Sequence, residues 1–197
     1  MHELCSNKEE VSLRKGITMF SLNDKVVYPG HGVASICRVF EKNVGLQKII
    51  FYELKFQSKD MTIMVPKDKA EEVGVRSLSS SSSITSMLET LARPARHIRS
   101  TESSASNWNK RNKEYQSKLR TGSLKDISEI YRDLKYISRY KELSFGEKNL
   151  LLKTEALLVE EISAAEQVGE DKVIEKLRAY LVPSLIITPS VSSVVER

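Results

Sequence analysis

A run of serines at residues 77–83 divides the chain into two parts with different hydrophobic periods. Before the run, short stretches of alternating apolar and polar residues are typical of β-strands. After it, apolar residues recur at three- and four-residue intervals, which indicates amphipathic helices. Because a serine run has no apolar face to bury, we predict a linker at 77–83 between two domains. The expected fold class is α+β, with a β-sheet domain at 19–76 and a compact helical bundle at 84–182.

Four or five short strands are expected in the first domain. DKVVY and VASICRVF flank Pro-Gly-His-Gly at residues 29–32, whose glycines suit the positive φ angles of a hairpin turn. After a turn near residues 43–45, QKIIFYELKF supplies a third strand and MTIMVP a fourth, which Pro66 ends. These tight connections predict a small, strongly bent antiparallel sheet or barrel. Such modules commonly bind other proteins, and this one has no room for a cofactor cleft.

Two sequences in the second domain match the capping box that begins a helix. They run from Ser123 to Asp126 and from Ser144 to Glu147. The apolar stripes that follow them have helical spacing, so we expect these stripes in the core. Further helices are expected at 84–92, in the segment that carries Trp108 and ends near Gly122, and at 171–181.

The two ends of the chain lie outside these domains. Residues 1–18 are polar and show no sustained period, so we interpret them as a flexible extension or as sequence upstream of a true start at Met19. Residues 183–197 are expected to form a loosely attached tail. The sequence assigns no role to either end.

The positive charge is concentrated in one part of the second domain. The whole chain has 31 Lys and Arg against 26 Asp and Glu, a formal charge of +5. Residues 93–141 contain 13 basic and 5 acidic residues, whereas residues 142–182 contain 5 basic and 9 acidic. The first segment is a candidate surface for phosphates. The alternative is a helical face whose counter-charges come from the acidic segment through packing.

Trp108 is the only tryptophan, and it lies in the polar, basic stretch SASNWNKRNKEYQSKLR. An indole near Lys110, Arg111 and Lys113 combines an apolar wedge with cations that can contact phosphates. The alternative is an aromatic anchor between helices. These residues taken alone therefore leave DNA binding and bundle packing open.

Several functional classes lack their sequence signatures. No nucleophile motif, phosphate loop, dinucleotide fingerprint or HExxH is present, so we do not expect an enzyme. The two cysteines and three histidines are too scattered for a metal site, and no cofactor is expected. The apolar runs are far shorter than the roughly 20 residues of a membrane helix, and no secretion signal is recognisable. We therefore expect a cytoplasmic protein.

Six motifs occur in order along residues 20–168: DKVVYPGHGVA, TIMVP, AEEVGVR, NWNKR, YRDL and LSFGEKNLL. In this order and spacing they resemble the CarD/CdnL family of bacterial RNA polymerase-binding transcription regulators. The resemblance implies a Tudor-like, strongly bent β-sheet domain that binds the polymerase β subunit, similar to a module of the transcription-repair coupling factor. It also implies a helical domain that binds promoter DNA.

The resemblance also implies which residues contact the polymerase. The family's basic residue after the second strand falls on Lys42, for which a solvated loop lysine is the alternative. Thr62, Ile63, Met64 and Val65 correspond to the region that meets the β subunit, where an exposed strand edge could pair with the partner. Some relatives have a second basic residue where this chain has Met64. The contact is therefore expected to be less electrostatic or tuned to a different polymerase surface.

For Trp108 the resemblance implies a wedge in the minor groove at the upstream edge of the promoter bubble, with Lys110, Arg111 and Lys113 on the backbone. Burying an indole of roughly 150–250 Å² contributes at most roughly 4–6 kcal/mol, whereas unstacking a base step costs a few kcal/mol. Because these nearly cancel on closed duplex, we expect the wedge to retain an already open complex. Little sequence specificity is expected, because the three basic residues would contact phosphates and not base edges. The protein is expected to be a monomer. The alternative is a protein–protein adaptor whose helical domain does not contact DNA.

Overall fold

The computed structural model describes residues 20–95 and 105–185, with side chains described for 20–95 and 108–181. Within these ranges a five-stranded antiparallel sheet is followed by five α-helices, as the sequence predicts. The strands are β1 (Lys25–Tyr28), β2 (Gly32–Val44), β3 (Gln47–Phe56), β4 (Thr62–Pro66) and β5 (Arg76–Ser77). The helices are α1 (Ser81–Ala92), α2 (Ala105–Thr121), α3 (Leu124–Tyr140), α4 (Phe145–Glu166) and α5 (Glu170–Leu185). The predicted extension 1–18 and tail residues 186–197 lie outside the described residues, as do residues 96–104.

The sheet has the strand order β4-β3-β2-β1-β5, and all neighbouring strands are antiparallel. β2 and β3 form a long hairpin, in which a bulge between Ile36 and Arg38 bends β2. One face of the sheet covers an apolar core, whose buried members are Phe20, Val26, Ala34, Ile36, Tyr52, Leu54, Phe56, Val65, Ala70 and Val75. The expected α+β fold with a Tudor-like sheet is therefore confirmed.

The turns fix where the strands end. At residues 29–32 the predicted hairpin turn is present, with φ angles of 71° at Gly30 and 103° at Gly32, which glycine adopts without strain. The next turn is centred on Gly45 and the residue after it, later than predicted, because pairing with β3 carries β2 on to Val44. Lys42 consequently lies inside β2 and not after it, which corrects the expected placement.

The serine run is not a linker over its whole length, which corrects the prediction for 77–83. Ser77 pairs with β1 as part of β5, and α1 already begins at Ser81. The hydroxyl of Ser80 accepts a hydrogen bond from the backbone amide of Ser83 at 3.3 Å, which caps the helix. Only residues 78–80 connect the two domains, because the serines use their hydroxyls to begin a helix.

The helical bundle contains one of the two predicted capping boxes. The Ser144 hydroxyl accepts from the Glu147 amide, and the Glu147 carboxylate accepts from the Ser144 amide at 2.9 Å, so this box is confirmed. Ser123 precedes α3 as expected but makes no side-chain cap bond. The Asp126 carboxylate instead accepts a hydrogen bond from the Thr121 hydroxyl at 2.7 Å, so the second box is wrong.

The predicted apolar stripes of the helices form one core, as expected from their spacing. Its buried members are Ile84, Met87, Leu88, Leu91, Tyr115, Leu119, Leu124, Ile127, Ile130, Tyr131, Leu134, Ile137, Leu143, Leu150, Leu157, Leu158, Val159, Ile162, Val173, Leu177 and Leu181. The last helix extends to Leu185, so residues 183–185 belong to α5 and not to a tail. No helix in the described part of the chain has the length and apolar character needed to cross a membrane.

Candidate functional site

The outer face of the β-sheet carries the residues expected to contact a protein partner. Cross-strand pairing aligns Arg38 on β2 with Glu53 on β3, and Glu53 with Met64 on β4, so these side chains share one face. The exposed Arg38 guanidinium lies 3.1 Å from the carboxylate of Glu53, which is half-buried. Lys42 is on the same face, paired with Ile49 beyond the end of β4. The predicted residues Lys42 and Met64 are therefore brought to one surface.

Two aromatic residues lie on this outer face between the predicted positions. The rings of Phe40 and Phe51 stack with centroids 5.9 Å apart, and the Arg38 guanidinium lies 4.6 Å from the Phe40 centroid. Both rings are half-buried although no strand covers them from the outside. Sequence reasoning missed Arg38, Phe40 and Phe51. The period-two alternation of β2 and the cross-strand partners on β3 are the signals that could have found them.

The predicted segment Thr62 to Val65 forms β4, an edge strand whose outer backbone has no neighbouring strand in the described sheet. Thr62 and Met64 are exposed, and Met64 presents 56% of its surface to solvent. Ile63 is half-buried, and Val65 is buried in the core opposite Tyr52. A partner could therefore reach the side chains of Thr62 and Met64 and the edge backbone, but not the side chain of Val65.

Trp108 lies at the start of α2 and is half-buried against the core of the helical bundle. Its ring packs over Gly146 in the first turn of α4. A β-carbon at Gly146 would lie 3.3 Å from Cζ2 of the indole, closer than side chains usually approach, so the glycine makes room for the ring. Part of the indole remains accessible, which means that Trp108 both anchors two helices and can still contact a partner.

Phe145 directly precedes this glycine and is 80% exposed, the first residue of α4. Its ring is therefore free to contact a partner. Sequence reasoning treated Phe145 only as part of a capping box. Its position in the first turn of a capped helix, next to a glycine, was the available signal.

The three predicted cations of α2 do not behave alike. Lys110 and Lys113 are exposed and form no ion pair with any other described residue. At about 100° per residue, Lys110 projects about 160° and Lys113 about 140° around the helix axis from Trp108, on the side away from the bundle. Arg111 points into the bundle, where its side chain is 14% exposed and Nη2 lies 3.3 Å from the Glu147 carboxylate. Two of the three cations are therefore available to phosphates.

Glu147 is the buried acid that holds this region together. It is 1% exposed and accepts hydrogen bonds from Ser144, Arg111 and the Lys141 ammonium, the last at 3.1 Å. Burial alone would raise the pKa of Glu147, but the hydrogen bonds from Ser144 and Lys141 outweigh it, and the pKa lies below its ordinary value. An ionised carboxylate thus links α2, the α3–α4 turn and α4 directly beneath Trp108.

The family comparisons match both domains separately. Residues 20–79 match the CarD-like/TRCF RID domain, and residues 95–178 match the CarD C-terminal domain. The chain belongs to the CarD/CdnL family. It is also 25% identical over 155 residues to YdeB of Bacillus subtilis (strain 168), whose name describes it as a candidate transcription factor. That alignment covers 79% of this chain and 97% of YdeB.

Membership of the CarD/CdnL family makes this protein a transcription regulator that interacts with RNA polymerase, and not an enzyme. The RID domain corresponds to the β-sheet domain and indicates interaction with the polymerase β subunit. The described residues contain no group of His, Cys, Asp and Glu that could hold a metal ion.

In this CarD/CdnL chain, packing neutralises much of the positive charge of residues 93–141, as the sequence-based alternative anticipated. Counter-charges come partly from the acidic segment: Arg111 and Lys141 pair with Glu147, and Lys135 lies 3.7 Å from Glu155. Other cations pair within the basic segment itself, such as Lys118 with Glu129 at 2.7 Å. The surface available to phosphates is therefore smaller than the residue count indicates.

Proposed function

We propose that this protein binds the RNA polymerase β subunit through the outer face and edge of its β-sheet and retains promoter DNA in the open state through Trp108. The indole acts as a wedge in the minor groove at the upstream edge of the bubble. The observation that carries this proposal is a partly accessible tryptophan that packs over Gly146, which directly follows the exposed Phe145 in the chain. Lys110 and Lys113 on the same helix are exposed and form no ion pair with another described residue.

The half-burial of Trp108 favours retention of open DNA over melting of closed DNA. With at most about a third of its roughly 150–250 Å² still exposed, the indole can bury at most about 50–90 Å² more, which contributes roughly 1–2 kcal/mol. Unstacking a closed base step costs a few kcal/mol. The wedge therefore gains little on closed duplex. At a bubble edge that is already unstacked, most of the gain stabilises the open complex.

The phosphate contacts come from Lys110 and Lys113, with Arg111 in a structural role. At 1.5 Å rise per residue, Trp108 and Lys113 lie within about 8 Å along the helix axis. Because both lysines project at least about 140° around α2 from Trp108, their long side chains must reach around the helix to contact phosphates of the duplex that receives the indole. Such contacts reach phosphates and not base edges, so binding depends little on sequence.

On the polymerase side, the contact combines apolar side chains with backbone pairing. Met64, Phe40 and Phe51 supply apolar surface, and Lys42 adds a cation at its margin. The free edge of β4 can accept a strand of the β subunit, with Thr62 at the start of that edge. Ile63 and Val65 support the strand from the core side.

The lifetime of the open complex tests the wedge. Purified polymerase is allowed to form open complexes, a competitor is added, and decay is followed with the native chain or with Trp108→Ala. We expect the substitution to shorten the lifetime while binding to the β subunit is unchanged. Tyr180→Ala is the matched control, because Tyr180 is an exposed aromatic residue on α5. An unchanged lifetime with Trp108→Ala would show that the wedge role is wrong.

One observation favours a second function, a protein–protein adaptor without DNA contact. Phe145 and Leu152 are exposed apolar residues two turns apart on α4, a spacing that places them on one helix face. Salt dependence separates the two functions. If DNA is the partner, Lys110→Ala with Lys113→Ala should reduce the slope of log affinity against log salt by about 1.8, since each phosphate contact contributes about 0.9. An adaptor would show a shallow slope that the two substitutions do not change.

We also propose that the protein acts as a monomer in the cytoplasm, where polymerase and promoter DNA are available. A single chain presents both the sheet surface and the Trp108 surface, so neither contact requires a second copy. Sedimentation at micromolar concentration should give a single species of 22.3 kDa. A dimer at these concentrations would contradict the proposal.

A further inference from the structure

Arg76 is the side chain that joins the β-sheet domain to the helical bundle. It lies on β5 and reaches across to α4, where Nη1 and Nη2 donate to the two carboxylate oxygens of Glu161 at 2.6 and 2.9 Å. Nε and Nη2 also donate to the backbone carbonyl of Gly122, in the turn between α2 and α3. A planar guanidinium with a two-point contact fixes orientation as well as distance.

Glu161 is built to receive this contact. Its side chain is 3% exposed, and it also accepts from the backbone amide and the hydroxyl of Ser79 at 3.2 and 2.7 Å. Ser79 belongs to the short connection at 78–80, so the acid binds both the end of the sheet domain and the connection itself. A carboxylate this deeply buried requires all of these donors.

Other close contacts surround this ion pair between the two domains. The Ser58 hydroxyl donates to the Glu160 carboxylate at 3.0 Å, and the same carboxylate approaches the backbone at Gly32. Pro29 packs against Gly122, where an added β-carbon would lie 3.0 Å from the proline Cγ. These contacts between the domains involve polar groups and small residues. No large apolar cluster in the described residues spans the two cores.

We propose that Arg76 and Glu161 are positioning residues that hold the two domains in one relative orientation, so that polymerase bound to the sheet presents Trp108 to the DNA. Arg76 contacts both helices that build the Trp108 surface, since Gly122 directly follows α2 and Glu161 lies on α4. The link to Trp108 rests on the function proposed above, whereas the fixed orientation does not.

The ion pair matters because the connection at 78–80 limits the distance between the two domains but does not by itself fix their relative orientation. A polar interface of this kind allows relative motion unless specific contacts prevent it. When two binding modules are joined rigidly at the correct geometry, the second contact forms at a high effective concentration. Without the ion pair, Trp108 would sample many positions relative to the bubble edge, and fewer of them would be productive.

The test measures domain orientation and open-complex lifetime on the same variants. Spin labels are attached at Lys69→Cys in the sheet domain and Lys172→Cys on α5, both exposed, after Cys5 and Cys37 are replaced by Ser. The variants are Arg76→Met and Glu161→Gln, which remove one charge each. The matched control is Lys176→Met, which breaks an ion pair of 2.8 Å with Glu166 inside the helical domain.

We expect the native chain and the control to give one narrow distance distribution and equal lifetimes. Arg76→Met and Glu161→Gln should broaden the distribution and shorten the lifetime roughly tenfold, as expected when a rigid joint becomes flexible. Arg76→Lys should give an intermediate result, because an ammonium cannot bind Glu161 at two points and Gly122 together. Circular dichroism and separate binding to the β subunit should match the native chain in every variant.

Two results would overturn the proposal: a narrow distribution in both Arg76→Met and Glu161→Gln, or a broad distribution with a native lifetime. If the native chain itself does not prolong the open complex, the proposed DNA function fails. The distance distributions still decide whether the ion pair fixes the domains.

Discussion

The candidate contact residues on the outer face of the β-sheet contribute little to the stability of the fold. In the helical domain, by contrast, several candidate contact residues also pack in the fold and stabilise it. Met64 and Lys42 are exposed on the outer face of the sheet, and their cross-strand partners Glu53 and Ile49 are only partly buried. Trp108 and Arg111, in contrast, pack on Gly146 and Glu147 at the start of α4. A change on the sheet face should therefore alter binding more than stability, whereas a change near Trp108 alters binding and stability together.

The difference follows from how the two structures divide their side chains. A strand sends alternate residues to opposite faces, so one face can serve the core and the other can remain free. A helix in a bundle has a broad apolar face, and residues at its margins are partly covered by neighbouring helices. Contact residues of the helical domain consequently share their surroundings with the core.

Glu147→Ala should produce the largest change, a loss of unfolding free energy. It tests whether the residues near Trp108 stabilise the helical domain. Removing a buried carboxylate that caps α4 and pairs with Arg111 and Lys141 should cost about 3 kcal/mol of unfolding free energy. Urea denaturation at neutral pH measures it. The control is Glu142→Ala, whose exposed pair with Lys148 should contribute nothing measurable. Equal stability of the two variants would contradict the structural role of Glu147.

Met64→Asp tests the outer face of the sheet, where polymerase binding should change more than stability. The new carboxylate would become buried in the complex and should weaken affinity for the polymerase β subunit about tenfold, or about 1.4 kcal/mol. Because it lies opposite Glu53, it should also lower the unfolding free energy, by less than about 1 kcal/mol. The control is Leu46→Asp at the tip of the β2–β3 hairpin, which is fully exposed but away from this row. Equal losses for both variants would mean that the contact is not centred on Met64.

Phe145→Ala sharpens the comparison within the helical domain, because Phe145 is an aromatic residue there without a packing role. Truncating a ring that is 80% exposed should leave stability unchanged. If the ring adds apolar contact beside Trp108, the open-complex lifetime should fall roughly threefold, the loss expected for a peripheral contact. A lifetime equal to that of the native chain would restrict the apolar contact to Trp108.

The smallest expected effect is a change with pH in how much Glu147 contributes to stability. The pKa of Glu147 in the folded chain is below its ordinary value of 4.5, so its stabilising contribution is present above about pH 4.5 and is lost as the pH falls further. The difference in melting temperature between the native chain and Glu147→Gln should therefore shrink below this pH. Burial raises the pKa of Glu160, which acts in the opposite direction but is common to both proteins. A constant difference down to pH 3.5 would contradict the lowered pKa of Glu147.

Local patterns were sufficient for elements whose signals come from neighbouring residues. The turn at 29–32 and the capping box at Ser144 depend on glycine conformation and on hydrogen bonds within one turn, and both are present. The box at Ser123 failed because a hydroxyl outside the motif, that of Thr121, bonds to Asp126. The serine run was misinterpreted because a run of good capping residues can begin a helix as well as form a linker.

The candidate site was predicted only in part. The sequence placed Trp108 and its cations in one stretch, but it could not separate Arg111 from Lys110 and Lys113. That separation depends on Glu147, which is 36 residues away from Arg111 and becomes its partner only when α2 packs on α4. The outer row of Arg38, Glu53 and Met64 likewise depends on strand register, which a bulge shifts.

The sequence by itself determined the order of a β-sheet domain and a helical domain, the helical stripes and the stretch in which Trp108 lies among basic residues. These properties depend on periodicity and on short-range hydrogen bonds, which neighbouring residues set. Only the tertiary structure decided which cations remain free, how far Trp108 is exposed and that Arg76 reaches Glu161 across 85 residues. The ion-pair partners of charged side chains and the burial of aromatic rings depend on segments that are distant in the sequence and come together only in the folded protein.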